Sequence, residues 1–330
     1  MRLTSTFRML ALILLCVNVS PVLAKAPSTA KILFTSARDG NYEVYSMNPD
    51  GSEQVNLTQH QARDLNAVWS PTGEKILFIS DRGGRRDLYL MDPDGSKVRR
   101  VLKRKAKVDR KNPTWSPDGK QIAYKTLDWG GPEYGIHIVI LGEQEAEHIV
   151  EGSYPAWSPD GMEIACTVSQ PLSAQLTFIN VHTRTQEKPL SKKLLLWQYD
   201  PSWSAAGDKL AFAGNKHPIP AILELHKAWA DKRSIYIVNR DGTGLRQLVN
   251  EAGPRASAPA LSPNGDELLY TQEVKGHLQI FKLDIDSGVR TQLTHDVWNL
   301  GGDWFDPAYA LPVKPQPHLL STTWGKLRSE

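Results

Sequence analysis

Polar and ionisable side chains recur shortly before a tryptophan motif that appears along the whole sequence. The residues in these positions are Asp64, Asn66, Asp109, Asn112, Tyr154, Asp200 and Asp303, and basic side chains stand in adjoining segments at Arg38, Arg82, Arg85 and Arg86. Carboxylate, amide and guanidinium groups gathered at a concave surface suit a polar ligand or a loop of another protein. The same groups can instead hydrogen-bond neighbouring loops to one another. The pattern therefore predicts either a binding rim or a network that holds the loops.

Several tryptophans lie outside the recurring motif, in segments that vary from one copy to the next. They are Trp129, Trp197, Trp229 and Trp298. Tryptophan offers a large apolar area with few rotatable bonds, so it anchors protein partners and stacks on sugar rings. The alternative is that these side chains only cover the ends of strands.

An insertion between Gly214 and Lys232 carries two candidate histidines, His217 and His226. The apolar residues of 221–230 fall on one side of a predicted short helix, which is placed to lie over a channel mouth as a lid. The spacing of the two histidines matches no recognised metal-ligand pattern. We therefore predict no bound metal and no other cofactor.

The sequence contains no motif of established catalytic chemistry. There is no G-x-S-x-G elbow, no H-E-x-x-H pair and no P-loop. Cys166 lies in a β-prone run and is predicted to be a small buried side chain. Carboxylates from separate segments can still converge on a sugar or peptide, so a hydrolase or lyase remains the alternative function.

The tryptophan motif is itself a repeat, with its clearest copy at Trp115-Ser116-Pro117-Asp118-Gly119. The other copies begin at Trp69, Trp157, Trp203, Leu261 and Trp304, spaced 42 to 58 residues apart. A period in the forties built from short β-prone segments is typical of a propeller blade. Proline, aspartate and glycine suit a tight turn, so the tryptophans are predicted to pack between blades and the rest of the motif to form turns.

Each repeat contains four strand signals, as in the copy that runs from Lys75 to Lys120. The tryptophan strand is predicted to be innermost in the following blade, and the segment 302–305 should pair with the strand at Ile32 to complete a blade from both chain ends. The predicted fold class is therefore all-β, a six-bladed β-propeller of four-stranded blades. Two alternate joints of every blade should emerge on one side, which we call the elaborated face because its loops vary most.

The chain begins with features of an export signal. Arg2 and Arg8 precede the apolar run Met9–Val19, which is too short to span a bilayer. The predicted organisation is a signal peptide at 1–24, a propeller at 25–307 and a C-terminal tail at 308–330. A periplasmic or secreted protein without a transmembrane segment is expected after cleavage.

The charge pattern favours no nucleic-acid partner. The formal net charge is +3 and falls to +1 without the two arginines of the signal, and no nucleic-acid recognition motif is present. A basic run from Lys97 to Lys111 suits an anionic partner, although lysines on an outermost strand also block edge-to-edge pairing.

The repeat resembles that of the TolB-like six-bladed propellers of exported bacterial proteins. The resemblance rests on Trp-Ser-Pro-Asp-Gly at 115–119, Ile-Ala-Tyr at 122–124, Ser-Asp-Arg-Gly-Gly at 80–84 and Leu-Tyr-Leu-Met-Asp-Pro-Asp-Gly at 88–95. In TolB itself the propeller follows an α/β domain and binds a peptidoglycan-associated lipoprotein. The resemblance implies a propeller scaffold and a protein or peptidoglycan-associated partner, and we predict an envelope binding module that uses its elaborated face.

Overall fold

The computed structural model describes residues 25–103, 105, 107–128, 134–250 and 253–312. The predicted signal peptide, most of the predicted C-terminal tail and Trp129 lie outside the described residues. The architecture of the remainder is all-β, as the sequence predicts.

The strands follow one another along the chain as short antiparallel neighbours. The first twelve are β1 (Lys31–Ser36), β2 (Glu43–Met47), β3 (Val55–Asn56), β4 (Asp64–Trp69), β5 (Ile76–Ser80), β6 (Asp87–Met91), β7 (Arg99–Arg100), β8 (Val108–Trp115), β9 (Gln121–Asp128), β10 (Gly135–Ile140), β11 (Ala146–Val150) and β12 (Ser153–Trp157). The others are β13 (Glu163–Gln170), β14 (Ser173–Asn180), β15 (Gln186–Glu187), β16 (Trp197–Trp203), β17 (Lys209–Asn215), β18 (Ser234–Asn239), β19 (Arg246–Gln247), β20 (Ala256–Leu261), β21 (Glu267–Val274), β22 (His277–Asp284), β23 (Arg290–Gln292) and β24 (Asn299–Phe305). A 3₁₀ turn at Leu223–Leu225 and helix α1 at His226–Asp231 lie between β17 and β18.

The strands form four-stranded units in chain order. Unit 1 contains β24, β1, β2 and β3, and the next units contain β4–β7, β8–β11, β12–β15, β16–β19 and β20–β23. The predicted pairing of the two chain ends is present, because Ile32 lies opposite Trp304 in the β1–β24 ladder. In every unit the strand that carries the tryptophan motif, or its equivalent, lies at one edge, and we call these the inner strands.

Units 4 and 5 share one eight-stranded sheet, whereas the sequence predicts separate blades. The link is a single parallel bridge between Ala174 and Trp197. It forms because the loop before β16 runs beside the start of β14, where the Ala174 N–H donates to the carbonyl oxygen of Leu196 at 3.0 Å. The turn between β13 and β14 is only two residues long, so this part of the elaborated face is shorter than the sequence suggests.

The apolar core lies between consecutive units. Trp69 of unit 2 packs on Phe305 of unit 1, with ring centroids 5.4 Å apart. Ile32 and Phe34 of unit 1 share a cluster with Leu269 of unit 6. Each large side chain that is fully buried in this way contributes about 1.5–3 kcal/mol to the free energy of folding. The contacts between units therefore supply stability that the short outer strands, some only two residues long, do not supply.

The Trp-Ser-Pro-Asp-Gly segments form tight turns, as predicted. The Gly119 N–H donates to the carbonyl oxygen of Ser116 at 2.9 Å, and the Ser116 hydroxyl accepts the Gln121 N–H at 2.8 Å. Gly119 has a φ of +70°, a conformation that a β-carbon disfavours. These turns lie on the side of the units opposite the elaborated face.

Two further expectations can be compared with the structure. Cys166 is fully buried, as predicted, and burial raises the pKa of its thiol to about 12. Part of the basic run makes internal contacts: Arg110 lies 2.7 Å from Asp87, and Arg100 donates to the Tyr89 hydroxyl at 2.9 Å.

Candidate functional site

Each inner strand is interrupted by a β-bulge at the same depth. The residue at the bulge has a positive φ in all six strands: Asn66 (50°), Asn112 (48°), Tyr154 (55°), Asp200 (51°), Ala258 (51°) and Gly301 (72°). The ladders shift register at these places, for example between Lys111 and Thr114 in the β8–β9 pair. A left-handed conformation costs a residue with a β-carbon about 1–2 kcal/mol, and strain of this kind concentrates at functional sites.

The six bulges line one cavity of about 240 Å³. Four of the bulge residues precede a proline, and these prolines, at 113, 155, 201 and 259, also line the cavity. Proline has no backbone N–H, so these four residues offer no main-chain donor. The bulge residues Asn66, Asn112, Tyr154 and Asp200 contribute polar side chains to the lining.

Asp200 is the one ionisable carboxylate among the described residues that line the cavity. Burial raises the pKa of Asp200, while Arg233 and a hydrogen bond from the Ala258 backbone oppose that shift. The Oδ1 atom of Asp200 is buried and has no hydrogen-bond partner among the described residues. A buried carboxylate oxygen without a donor costs free energy, so a ligand that supplies a donor would be favoured at this point.

The pKa of Tyr154 is affected by the charge of Asp200. The Asp200 charge, followed by burial, raises the pKa of Tyr154 to about 12, so its hydroxyl stays protonated at neutral pH. Its side chain is 38% exposed, so it stands at the opening of the cavity. The cavity thus brings together four of the predicted rim residues, namely Asn66, Asn112, Tyr154 and Asp200, which carry amide, hydroxyl and carboxylate groups.

Asp64 and Arg82 do not line this cavity. The Arg82 guanidinium lies 2.9 Å from the Asp64 carboxylate, which has no solvent exposure, and it also packs over the ring of Tyr89. Burial raises the pKa of Asp64 despite this contact. The pair therefore fixes the β5–β6 hairpin to the inner strand, which corresponds to the loop network that the sequence allows as an alternative to a binding rim.

Trp197, the first residue of β16, and Trp229, in α1 of the insertion, form an aromatic pair. Their rings meet edge to face with centroids 5.3 Å apart, and both indole N–H groups donate to the carbonyl oxygen of His217, at 3.1 and 2.9 Å. Trp197 also stacks on Tyr199, whose ring lies 4.9 Å from the Arg233 guanidinium. The insertion is thereby joined to β16, the strand that carries Asp200.

The remaining predicted residues lie elsewhere. Trp298 meets His277 edge to face at 6.1 Å, in the loop before β24. The His226 ring nitrogen Nε2 lies 2.9 Å from the carbonyl oxygen of Pro220, a contact within the insertion. No group of three or more His, Cys, Asp or Glu residues in the described part of the chain is arranged to hold a metal ion.

Arg233 at the site and the β-bulge at the rim residues were not predicted from the sequence. Arg233 influences both Asp200 and Tyr154, but it ends the insertion and nothing in its local sequence sets it apart. The residue at the bulge does carry a signal, since Asn112, Tyr154 and Asp200 are each followed by proline, a small residue and a tryptophan. That recurring X-Pro-X-Trp spacing identifies the positions that share the cavity.

Comparison with known proteins supports the TolB-like resemblance. A family model described as the TolB beta propeller domain matches residues 13–111. In structure, the chain is similar to TolB from Acinetobacter baumannii, with a TM-score of 0.70 and 18% identity over 83% of this chain and 66% of that one. The chain thus spans slightly less than two thirds of that TolB.

Two further solved structures share the fold. A protein from Agrobacterium tumefaciens assigned to TolB has a TM-score of 0.61 and 17% identity, over 83% of this chain and 90% of that one. Kuenenia stuttgartiensis hydrazine synthase has a TM-score of 0.65 and 13% identity, over 87% of this chain and 48% of that one. No curated protein matches the chain in sequence. At these identities the similarity establishes the fold alone, and the fold is compatible with both binding and catalysis.

Proposed function

We propose that this chain, whose repeat and fold resemble those of TolB-like propeller proteins, is an exported binding module of the bacterial envelope. Its elaborated face would receive a segment of a protein or of a peptidoglycan-associated partner. The cavity formed by the six inner strands would hold a positively charged, hydrogen-bond-donating group of that segment. The similarity to the TolB family supports a binding function, and the cavity supports the position proposed for the bound group.

The proposal includes a closed ring of six blades, in which residues 25–307 form one body. Two equivalent hydrogen bonds support the ring. The Ser202 hydroxyl of unit 5 accepts the N–H of Leu261 in unit 6 at 3.1 Å, and the Asp303 carboxylate of unit 1 accepts the N–H of Trp69 in unit 2 at 2.6 Å. The apolar cluster between units 6 and 1 supplies the contact that such a ring requires.

The observation that carries the proposed binding is the carboxylate of Asp200. One of its oxygens is buried without a donor among the described residues, and the prolines that line the cavity supply none. A lysine ammonium, an arginine guanidinium or a terminal amine would provide both a donor and a countercharge. Asn66, Asn112 and the Tyr154 hydroxyl would bind the polar atoms on either side.

The proposed location is the periplasm or the exterior of the cell. The features of residues 1–24 support export. Among the described residues, no helix has the length and apolar character needed to cross a membrane. Trp229 and Trp298, which are partly exposed, would add apolar contact area for the partner, whereas Trp197 is buried and supports Trp229.

The enzyme alternative has less support from the geometry. Glycoside chemistry needs a second carboxyl group facing the first, and Asp200 has no such neighbour among the described cavity-lining residues. His226 is occupied by a contact within the insertion. No observation therefore favours a hydrolase or lyase over a binding module.

Peptide selection tests the proposal and requires no identified partner. A phage-displayed library of random peptides would be panned on the immobilised protein and, in parallel, on the Asp200→Asn and Asp286→Asn variants. Asp286 is exposed in the turn between β22 and β23, on the opposite side, so it matches the charge change away from the cavity. We expect peptides with a lysine, an arginine or a free amine at a fixed place, enriched on the wild type and the Asp286 variant only. Enrichment without a cationic position, or equal enrichment on all three proteins, would contradict the proposal.

A further inference from the structure

Six large aliphatic side chains are exposed on three loops of units 4 and 5. They are Leu172 (73% exposed), Leu194 (58%), Ile219 (37%), Ile222 (59%), Leu223 (74%) and Leu225 (49%). Single exposed aliphatic residues are ordinary, but a concentration of them marks an interaction surface. We call this set the aliphatic ridge.

The three loops that carry the aliphatic ridge are neighbours on the elaborated face. The bridge between Ala174 and Trp197 places the two-residue turn that contains Leu172 beside the loop that contains Leu194. The contact between Trp197 and Trp229 then attaches the insertion to the same place. Each loop joins strands at the elaborated side of its unit, so the aliphatic side chains belong to one sector of that face.

The insertion is held to the body through residues near its two ends, which leaves the apolar residues between them exposed. The Asn215 side chain donates to the carbonyl oxygen of Trp229 at 2.7 Å, and the two indole N–H groups bind the His217 carbonyl. Neither the 3₁₀ turn nor α1 has a buried residue. Ile222 and Leu223 therefore project away from the body, although burial against it would have been the default for a short amphipathic segment.

Basic residues surround the aliphatic ridge. Lys192 and Lys193 immediately precede Leu194, and Lys232 follows α1; all three are exposed. Lys227 and Asp231 neutralise each other in an ion pair of 2.9 Å. The acidic residue closest in sequence to the exposed leucines is Glu224. The sector consequently combines projecting aliphatic groups with an excess of positive charge.

This combination points to a lipid surface. Protein-binding hot spots are rich in tryptophan, tyrosine and arginine, and leucine is under-represented in them. Peripheral membrane segments instead use leucines that enter the boundary between head groups and acyl chains, with lysines that attract anionic lipids. We propose that the aliphatic ridge docks this protein onto an anionic lipid bilayer, with Leu194, Ile222 and Leu223 inserted at the interface and Lys192, Lys193 and Lys232 at the phosphate groups.

Vesicle co-sedimentation of the purified exported protein tests the proposal. The vesicles would contain either phosphatidylcholine alone or equal parts of phosphatidylcholine and phosphatidylglycerol. We expect binding to the mixed vesicles that is weakened by salt, and a fall of about tenfold or more in the partition coefficient for Ile222→Asp/Leu223→Asp. Ile222 and Leu223 are exposed, so the variant should fold. Its circular dichroism spectrum and melting temperature will check this.

The matched control is Val289→Asp, since Val289 is 63% exposed in the turn between β22 and β23 on the opposite side. It should bind vesicles as the wild type does, and so should Asp200→Asn, because the proposed docking does not use the cavity. Absence of vesicle binding by the wild type, or equal binding by the wild type and the Ile222/Leu223 variant, would overturn the proposal. If peptides selected on the protein lose binding to that variant while vesicles bind neither protein, the ridge contacts a protein and the lipid assignment is wrong.

Discussion

Trp197 and Trp229 share a single hydrogen-bond acceptor, the carbonyl oxygen of His217, and their rings meet edge to face at 5.3 Å. Trp197 belongs to an inner strand and Trp229 to the insertion. The pair therefore connects the insertion to the strand that carries Asp200. This contact gives both tryptophans a structural role, in addition to any contact with a partner.

Removal of the Trp229 side chain should release the insertion. Trp229→Ala loses the edge-to-face contact and one indole hydrogen bond, and the free energy of unfolding should fall by about 1 kcal/mol. Trypsin should then cleave at Lys227 and Lys232 faster than in the wild type. Trp298→Ala removes a tryptophan from a different loop and should leave cleavage at these two sites unchanged. Equal cleavage of wild type and Trp229→Ala would show that the pair does not hold the insertion.

The pair formed by Asp64 and Arg82 should be a strong determinant of stability. Arg82→Ala leaves a carboxylate with no solvent exposure without its countercharge, which should cost about 3 kcal/mol in chemical denaturation. Arg85→Ala provides the control, because Arg85 is 38% exposed and lies 3.6 Å from Asp109; it should cost less than about 1 kcal/mol. Adding Asp64→Asn to Arg82→Ala should restore part of the loss. Similar costs for the two arginine variants would be inconsistent with this assignment.

The bulges of the inner strands allow a direct measurement of backbone strain. Gly301 has a φ of +72°, and a β-carbon there would meet no atom within 4 Å, so Gly301→Ala should cost about 1 kcal/mol through its backbone alone. Ala258 has a φ of +51° at the equivalent place, and Ala258→Gly should stabilise by roughly 0.5 kcal/mol because relief of strain exceeds the added chain entropy. The paired unfolding curves should therefore shift in opposite directions. A shift in the same direction would mean that the two positions are not equivalent.

Asp303 should make stability depend on pH. Burial raises the pKa of its carboxyl from 3.8 to about 7, so the folded protein binds a proton that the unfolded chain releases between these values. Stability from this group is therefore greatest below pH 4 and is lost progressively as the pH rises towards 7. Asp303→Asn keeps an oxygen for the Trp69 N–H, which now lies 2.6 Å from the carboxylate. The melting temperature of Asp303→Asn relative to wild type should rise between pH 5 and pH 8. A constant difference would contradict the raised pKa.

The sequence predicts the repeat because its signals are local. The turn residues, the alternation of short strands and the recurring tryptophan each form a short sequence pattern within one repeat, and the structure has them where expected. The sequence leaves open whether Asp64 belongs to a binding rim or to a network that holds the loops, because sequence spacing does not give the direction of a side chain. In the structure its carboxylate contacts Arg82. The bridge from Ala174 to Trp197 is a contact between units, so no local pattern predicts it.

The site is predictable in part for the same reason. Asn112, Tyr154 and Asp200 occupy equivalent positions before the tryptophan, so the repeat places them at one depth. Arg233 follows the insertion and is brought near Asp200 and Tyr154 only by the tertiary structure. Its effect on the pKa of Asp200 and Tyr154 is therefore a property of the tertiary structure.

The affinity of a selected lysine-containing peptide for the wild type and for Asp200→Asn, measured by calorimetry across pH, tests the central claim most directly. Loss of a charge-assisted hydrogen bond should weaken binding to Asp200→Asn by about tenfold or more at neutral pH. Burial raises the pKa of Asp200 above its usual value. Acidification should therefore weaken peptide binding to the wild type at a higher pH than it would for an ordinary aspartate. The affinity of Asp200→Asn should show no such fall. Equal affinities with the same pH dependence would contradict the assignment of Asp200 as the ligand-binding carboxylate.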